Sequence, residues 1–418
     1  MNKLTFLILA ALLLAPQAAL PAAQGANAPV LADESFVRVV DGKFHAGAQE
    51  YRAMGFTAYE LNIGKDQRQN PREKVERIFR VAKAHGFTLF RATTVICDFK
   101  TGDLARHLSE PVWSQIDMIL DVARTLEMRV IIDFSTLTYD TGRYSEPPFD
   151  VTAPENFARI KDIYRIIPNR RNTINGRLYK DDPTIMAYSI LGEIVPFGLK
   201  KLPDGSFNLK DESRDVNNYL AFITSAAAEL KRHAPRQLVN TGGLLHITPT
   251  GPVKDRTGAP YWKTLWADRN IDFGSIHIYT RPPKTLERPV RPPYQVPMPW
   301  GEWKNLATYT AYLDTIGKPF AVEEWGLNLE ERSDVAIAGG GEKPLELSPE
   351  AARDYVTNAF AVISQARIPV AIMWQWSPGG KFNIWPGEST FEDSIIKIIT
   401  DNAAHFRRSE STRLNSSH

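Results

Sequence analysis

The sequence predicts an α/β fold, a (β/α)8 TIM barrel with an N-terminal hairpin and long βα loops. Three observations predict it. From about residue 50 to 405, short runs rich in β-branched and aromatic residues alternate with windows of helical period, the pattern of a parallel sheet with helical crossovers. The runs number eight, which suits a closed barrel better than an open doubly wound sheet. Neither G-x-G-x-x-G nor G-x-x-x-x-G-K occurs, which weakens the open nucleotide-binding alternative.

Taken in order, residues 36–52 read as a hairpin that closes the lower end of the barrel. FTAYEL (56–61) is the first strand. PREKVERIFRVAKAHG (71–86) is a helix with Val75, Ile78, Phe79 and Ala82 on one face, Pro71 in the first turn and Gly86 after the last, the positions those two residues favour. TLFRATTV (88–95) is the second strand. The next helix carries Val112, Ile116, Ile119, Leu120 and Ala123 on one stripe, and RVIIDFS (129–135) follows as the third strand. A helix within 154–170 leads to IMAYSIL (185–191), the fourth. The second half repeats the rhythm. A helix with Val216, Tyr219, Leu220, Ile223 and Leu230 in register precedes QLVNTGG (237–243), and IDFGSIHIY (271–279), PFAVEEWG (319–326) and VAIMWQWS (370–377) complete the eight. Further helices are expected near 304–316, 350–367 and 391–405.

Of the 418 residues, 43% are hydrophobic and 23% charged, an ordinary balance for a chain that buries a large core. Lys and Arg number 50 against 48 Asp and Glu, a formal net charge of +2, and no basic stripe stands out; nucleic acid is not an expected partner. Cys97 is the single cysteine, so no intrachain disulfide supports the fold. Lys3 and the apolar run Leu4–Ala15, followed by small residues, read as a signal peptide over about residues 1–28. The expected product is a secreted or periplasmic single catalytic barrel over 29–405, without a membrane partner once the signal is cleaved. Residues 406–418 read as a disordered or non-native tail.

In a (β/α)8 barrel, catalytic groups stand at the C-terminal ends of the strands. Those ends supply Arg91, Glu193, His277 with Tyr279, Glu323 with Glu324, and Trp374 with Trp376. Glutamates on the fourth and seventh strands face each other across a barrel mouth. Two such carboxyls suit glycoside hydrolysis: one protonates the leaving oxygen, while the other attacks the anomeric carbon or activates water. Glu324 is preferred to Glu323 because it shares alternation parity with Phe320 and Val322 and directly precedes Trp325–Gly326. Asp133 and Ser135 lack the partners of a hydrolase triad. No H-E-x-x-H or comparable spacing occurs, so neither a metal nor another cofactor is expected. TRPPKTLERPVRPPYQVPMPWGEW (280–303), with seven prolines, reads either as a stiff cleft wall or as a structural flap.

Over roughly residues 36–400 the sequence resembles glycoside hydrolase family 5, most of all its β-mannanase branch. The likeness is carried by FVRVVDGKFHAGAQEYRAMG, FRATTV, NTINGRLYKDDPTIMAYSILGE, IDFGSIHIY, KPFAVEEWG and IMWQW, in that order along the chain. The resemblance implies a retaining enzyme with Glu193 as acid/base and Glu324 as nucleophile. It also implies that Arg91, His277 and Tyr279 support the nucleophile, and that Trp374, with Trp376 beside it, stacks on sugar. The implied substrate is a β-1,4-mannan-type polysaccharide or oligosaccharide. One position departs from the family: Gly192 stands where an asparagine normally precedes the acid/base glutamate and contacts the sugar 2-hydroxyl. Three rival readings remain: a β-1,4-glucanase or exo-β-glycosidase on the same scaffold; a carbohydrate-binding barrel with weak or no hydrolysis, to which Gly192 points; and an unrelated barrel lyase or aldolase. No lysine stands at the eight strand ends, which opposes a Schiff-base version of the last.

Overall fold

The computed structural model describes residues 36–58, 61, 70–93, 110–134, 154–191, 199–201, 207–209, 216–244, 247, 249, 254–278, 301–326, 349–378 and 384–406. The chain opens with a small antiparallel sheet, β1 (Val37–Val40), β2 (Lys43–Ala46) and β3 (Gln49–Glu50). The first barrel strand is β4 (Ala53–Thr57), followed by α1 (Arg72–Ala84), β5 (Leu89–Thr93), α2 (Glu110–Thr125), β6 (Arg129–Asp133), α3 (Pro154–Ile166) and β7 (Ile185–Ser189). A two-stranded ribbon, β8 (Leu199–Lys201) with β9 (Phe207–Leu209), comes next. The rest is α4 (Val216–His233), β10 (Leu238–Asn240), α5 (Tyr261–Ala267), β11 (Gly274–Ile278), α6 (Leu306–Thr315), β12 (Phe320–Gly326), α7 (Pro349–Gln365), β13 (Val370–Trp374) and α8 (Thr390–Phe406).

Eight parallel strands pair in the order β10-β7-β6-β5-β4-β13-β12-β11. The two ends of that row meet through hydrogen bonds from Asp272 N to Val239 O (2.8 Å), Leu244 N to Ser275 O (3.1 Å) and His277 N to Leu244 O (3.1 Å). Closure removes the unpaired edges that an open sheet would expose.

Strand alternation sorts the core into two layers. Between strands and helices, Val75, Ile78, Phe79 and Ala82 of α1 pack with Phe56 and Phe90 and their neighbours. The apolar face read from helical spacing is therefore the face that is buried. Inside the barrel, Ala53, Leu89, Ile131, Ala187, Leu238, Phe273, Ala321, Val370 and Ile372 form a separate apolar floor. The hairpin seals that floor from below: Val37 and Phe44 belong to it, and the Phe44 ring meets Phe273 edge-on with centroids 5.2 Å apart.

The long connection before β7 is organised by one buried carboxylate. Asp117 of α2 accepts hydrogen bonds from the Tyr179 hydroxyl (2.6 Å), Arg170 Nη2 (2.6 Å) and the Thr173 hydroxyl (2.8 Å). Burial, with the Asp117 carboxylate beside it, pushes the Tyr179 phenol well above its ordinary range, so it stays a neutral donor. This network fixes the segment that delivers β7.

Several boundaries differ from the sequence reading. The first strand is Ala53–Thr57 rather than 56–61. Helix α5 and the β8–β9 ribbon were not anticipated. Residues 1–28 and 407–418, with the signal and most of the tail expected there, lie outside the described residues; Phe406, expected in the tail, ends α8 and is buried. Among the described residues, no helix is long and apolar enough to cross a membrane.

Candidate active site

Above the apolar floor the barrel lumen turns polar. On β5, Leu89 lies in the floor and Phe90 and Ala92 in the outer layer, so alternation turns Arg91 into the lumen. The same alternation aims Asp133 of β6, Ser189 of β7, and Ser275 and His277 of β11 inward. Asp133, Ser189, Ser275 and His277 are all fully buried.

Strand β12 departs from simple alternation. Ala321 belongs to the floor and Val322 to the outer layer. Phe320 packs outward against Trp266 and Tyr309. The parity argument for Glu324 therefore pointed to the wrong face, since residues in phase with Phe320 and Val322 face outward. A bulge corrects the aim. Val322 pairs with Ala371 but Trp325 pairs with Met373, so Glu323 and Glu324 together oppose the single residue Ile372. The extra residue turns both glutamates into the lumen. Trp325 resumes the outward course and meets Trp303 and Phe360.

Arg91 sits at the centre of this constellation, only 1% exposed. Its Nη1 donates to Glu324 Oε2, its Nη2 is paired with Asp133 Oδ2, and its Nε lies 3.6 Å from Glu323 Oε1. A planar guanidinium with five fixed donors can face three carboxyls at once, which a lysine ammonium would do less well. Buried charge without such pairing is costly. His277 Nδ1 lies 3.8 Å from the same Glu324 oxygen, Oε2. Arg91 and His277 thus hold one side of the Glu324 carboxyl. Glu323 is 0% exposed and Glu324 5%, so Glu324 is the one that opens toward the mouth.

Gly243 holds His277 in place. It has φ +61°, and a Cβ there would lie 2.0 Å from both Cδ2 and Nε2 of His277. The imidazole therefore rests on bare backbone, and only glycine allows both that conformation and that approach. Gly243 N also donates to Ser275 Oγ (2.9 Å).

Of the residues anticipated from sequence, the structure brings together Arg91, His277 and Glu324. Trp374 ends β13 half-buried at the same end of the barrel, and its peptide bond to Gln375 is cis. Trp376 is corrected. It is fully buried among Phe87, His85 and Trp385, with centroids 4.9, 5.4 and 5.8 Å away, so no face remains for a sugar. The chain turns out of the lumen after β13, which separates it from Trp374. Glu193, Tyr279 and Gly192 lie outside the described residues, as does most of the proline-rich segment; its last residue, Trp303, is buried against Trp325 and Tyr355. Sequence reasoning missed Asp133 and Ser189 as members of the cluster, and gave Glu323 only as the less favoured of the two β12 glutamates. The usable signal was a polar side chain in the inward phase of each strand, one or two positions from its end. Among the described residues, no three His, Cys, Asp or Glu side chains are placed to hold a metal ion.

Comparison with known proteins bears on the family and the fold. A family model described as GH family 5 beta-mannosidase-like matches residues 112–367. Mannan endo-1,4-beta-mannosidase 5 of Solanum lycopersicum is 27% identical over 272 residues, covering 59% of this chain and 61% of that protein. Mannan endo-1,4-beta-mannosidase 7 of Arabidopsis thaliana is 28% identical over 271 residues, covering 58% of each. The chain thus spans about three fifths of the length of the curated relatives it matches. Among solved structures, the endo-1,4-beta-mannanase from Rhizomucor miehei superposes with a TM-score of 0.63 at 18% identity, covering 89% of this chain and all of that one. The endo-beta-1,4-mannanase from Thermotoga petrophila gives 0.56 at 16%, covering 87% and 78%. These likenesses establish the barrel fold.

Proposed function

The chain belongs to the β-mannosidase-like members of glycoside hydrolase family 5, and from that membership we propose that it is a retaining β-glycoside hydrolase acting on β-1,4-linked mannan-type polysaccharide, exported by the leader read at Lys3 and Leu4–Ala15. The observation that carries this reading is Glu324. Its carboxyl opens toward the barrel mouth while one of its oxygens is held from behind by a buried arginine and a histidine. That arrangement orients the carboxyl, leaving the other oxygen for the substrate.

The mechanism is a double displacement. Glu324 Oε1 attacks the anomeric carbon as the glycosidic bond breaks, and the departing oxygen takes a proton from Glu193. The product is a covalent glycosyl-enzyme ester. Glu193, now a carboxylate, removes a proton from water; the water oxygen bonds to the anomeric carbon and Glu324 leaves. Two inversions give net retention. Arg91 and His277 hold Glu324 Oε2 through both steps, Tyr279 donates to the same carboxyl, and Trp374 offers an aromatic face to the sugar. In this reading Glu193 and Glu324 lie about 5–5.5 Å apart, the retaining distance.

Gly192 favours a second reading, a barrel that binds carbohydrate with little hydrolysis, because the amide that would contact the 2-hydroxyl is absent at that position. Assay on mannan, cellulose, xylan and aryl β-glycosides separates the two. The proposal expects mannan to be cleaved, with the β-anomer as first product by proton magnetic resonance. Binding without product formation, preference for cellulose, or a first-formed α-anomer would each overturn it.

A further inference from the structure

Glu323 is a fully buried carboxylate in the lumen, one residue before Glu324. Its Oε1 accepts a hydrogen bond from the Ser189 hydroxyl and lies 3.6 Å from Arg91 Nε. Its Oε2 has no hydrogen-bond partner among the described residues. Burying a carboxyl with one oxygen unmatched destabilises a fold, and an apolar residue would pack the lumen without that cost. The benefit must therefore lie elsewhere, and the geometry around Arg91 shows where.

A guanidinium beside a single carboxylate prefers a bidentate fork. Arg91 is spread over three carboxyls instead, with Nη1 to Glu324, Nη2 to Asp133 and Nε toward Glu323. Without a carboxyl on the Nε side, the charge that opposes rotation there is gone, and the guanidinium can turn into a fork on Asp133, releasing Glu324, or onto Glu324, engaging both its oxygens. Ser189 anchors Glu323 from the opposite wall, on the same strand run that leads to Glu193. The β12 bulge supplies the residue that makes this possible.

We infer that Glu323 is a positioning residue for the proposed reaction: tied to Ser189, it sets the rotation of the Arg91 guanidinium so that the Nη1 arm reaches Glu324. The inference rests on the reading of Glu324 as nucleophile, and its test has one arm that needs no turnover.

Glu323→Gln keeps the shape and the acceptor for Ser189 but removes the charge facing Nε, whereas Glu323→Ala and Ser189→Ala remove the tie itself. With an aryl β-glycoside turned over by the wild type, kcat should fall about tenfold in Glu323→Gln and about a hundredfold in Glu323→Ala, with KM within about twofold, as a displaced catalytic group costs on that scale. In an Arg91→Lys background the same substitutions should cost less than about twofold, because groups acting as a unit are not additive. Arginine-labelled magnetic resonance supplies the independent arm. Four distinct Arg91 Nη–H signals are expected in the wild type, merging by rotational exchange in Glu323→Gln and in Ser189→Ala. Unchanged kcat with only the melting temperature lowered, full additivity with Arg91→Lys, or a wild-type Arg91 spectrum in folded Glu323→Gln would each overturn the inference. If Arg91→Lys does not fold, that spectrum decides alone. A wild type inactive on every β-glycoside would sink the nucleophile reading and still leave the spectrum to decide whether Glu323 holds Arg91.

Discussion

Replacing Gly243 with alanine should damage the site through His277 and not through any contact with substrate. The added Cβ would stand 2.0 Å from two ring atoms of His277, where carbon contacts normally sit about 3.5–4.0 Å apart. The ring must then retreat by about 1.5 Å, or the Gly243 backbone must shift. Retreat of the ring disturbs the 3.8 Å approach of Nδ1 to Glu324. The positive φ adds a strain of about 1–2 kcal/mol for an L-residue, and overpacking adds about 1–3 kcal/mol. The expected total is a loss of about 2–5 kcal/mol in denaturant unfolding, with kcat/KM lower by about a hundredfold. His277→Ala provides the control. Without the ring, Gly243→Ala should cost only the backbone strain, so the double-mutant cycle should return a coupling of about 1–3 kcal/mol. Equal costs of Gly243→Ala in both backgrounds would refute the reasoning, since the alanine would then be hurting something other than His277.

Trp376→Ala should lower stability by about 3–5 kcal/mol, the usual cost of emptying a buried aromatic site, and leave KM unchanged; a raised KM with intact stability would restore Trp376 to the sugar site. Trp374→Ala should do the opposite, raising KM for oligosaccharides while barely moving the unfolding midpoint. Asp255 accepts hydrogen bonds from the Thr257 hydroxyl (2.7 Å), the Thr264 hydroxyl, and the backbone amides of Thr257 and Ala259. The two hydroxyls hold its carboxyl down to about 2. Because the folded value is depressed, the turn it closes is stabilised above the ordinary aspartate range and loses that support as pH falls through about 2. A carboxyl titration by magnetic resonance should show that midpoint, and one near the ordinary value would disprove the arrangement.

The barrel was legible because two periods alternate cleanly, and Val75, Ile78, Phe79 and Ala82 face the core as spaced. The first strand was misplaced because Gly55 lies at its centre and a glycine argues against a strand. In the barrel, a Cβ on Gly55 would lie 2.8 Å from Ile372, so the residue records a close approach that single-strand reasoning does not see. Helix α5, YWKTLWA, is seven residues long, too short for a helical period to stand out. The site was legible as residue types at strand ends, and Arg91, His277 and Glu324 do converge. The path to Glu324 was not legible. Strict alternation on β12 would have paired it with the outward Phe320 and Val322, and the bulge that reverses it is a property of pairing with β13. Glu323 was legible only as the lesser of a pair, because its contacts with Ser189 and Arg91 come from strands distant in sequence.

The assignment of Glu324 as nucleophile is tested most directly by trapping the covalent intermediate. The protein would be incubated with an activated 2-deoxy-2-fluoro-β-mannoside, digested, and the labelled peptide sequenced by mass spectrometry. The account predicts one sugar esterified to Glu324 and no label in Glu324→Gln. A label on Glu323 or on any other residue, or inverted product with no covalent intermediate, would contradict it.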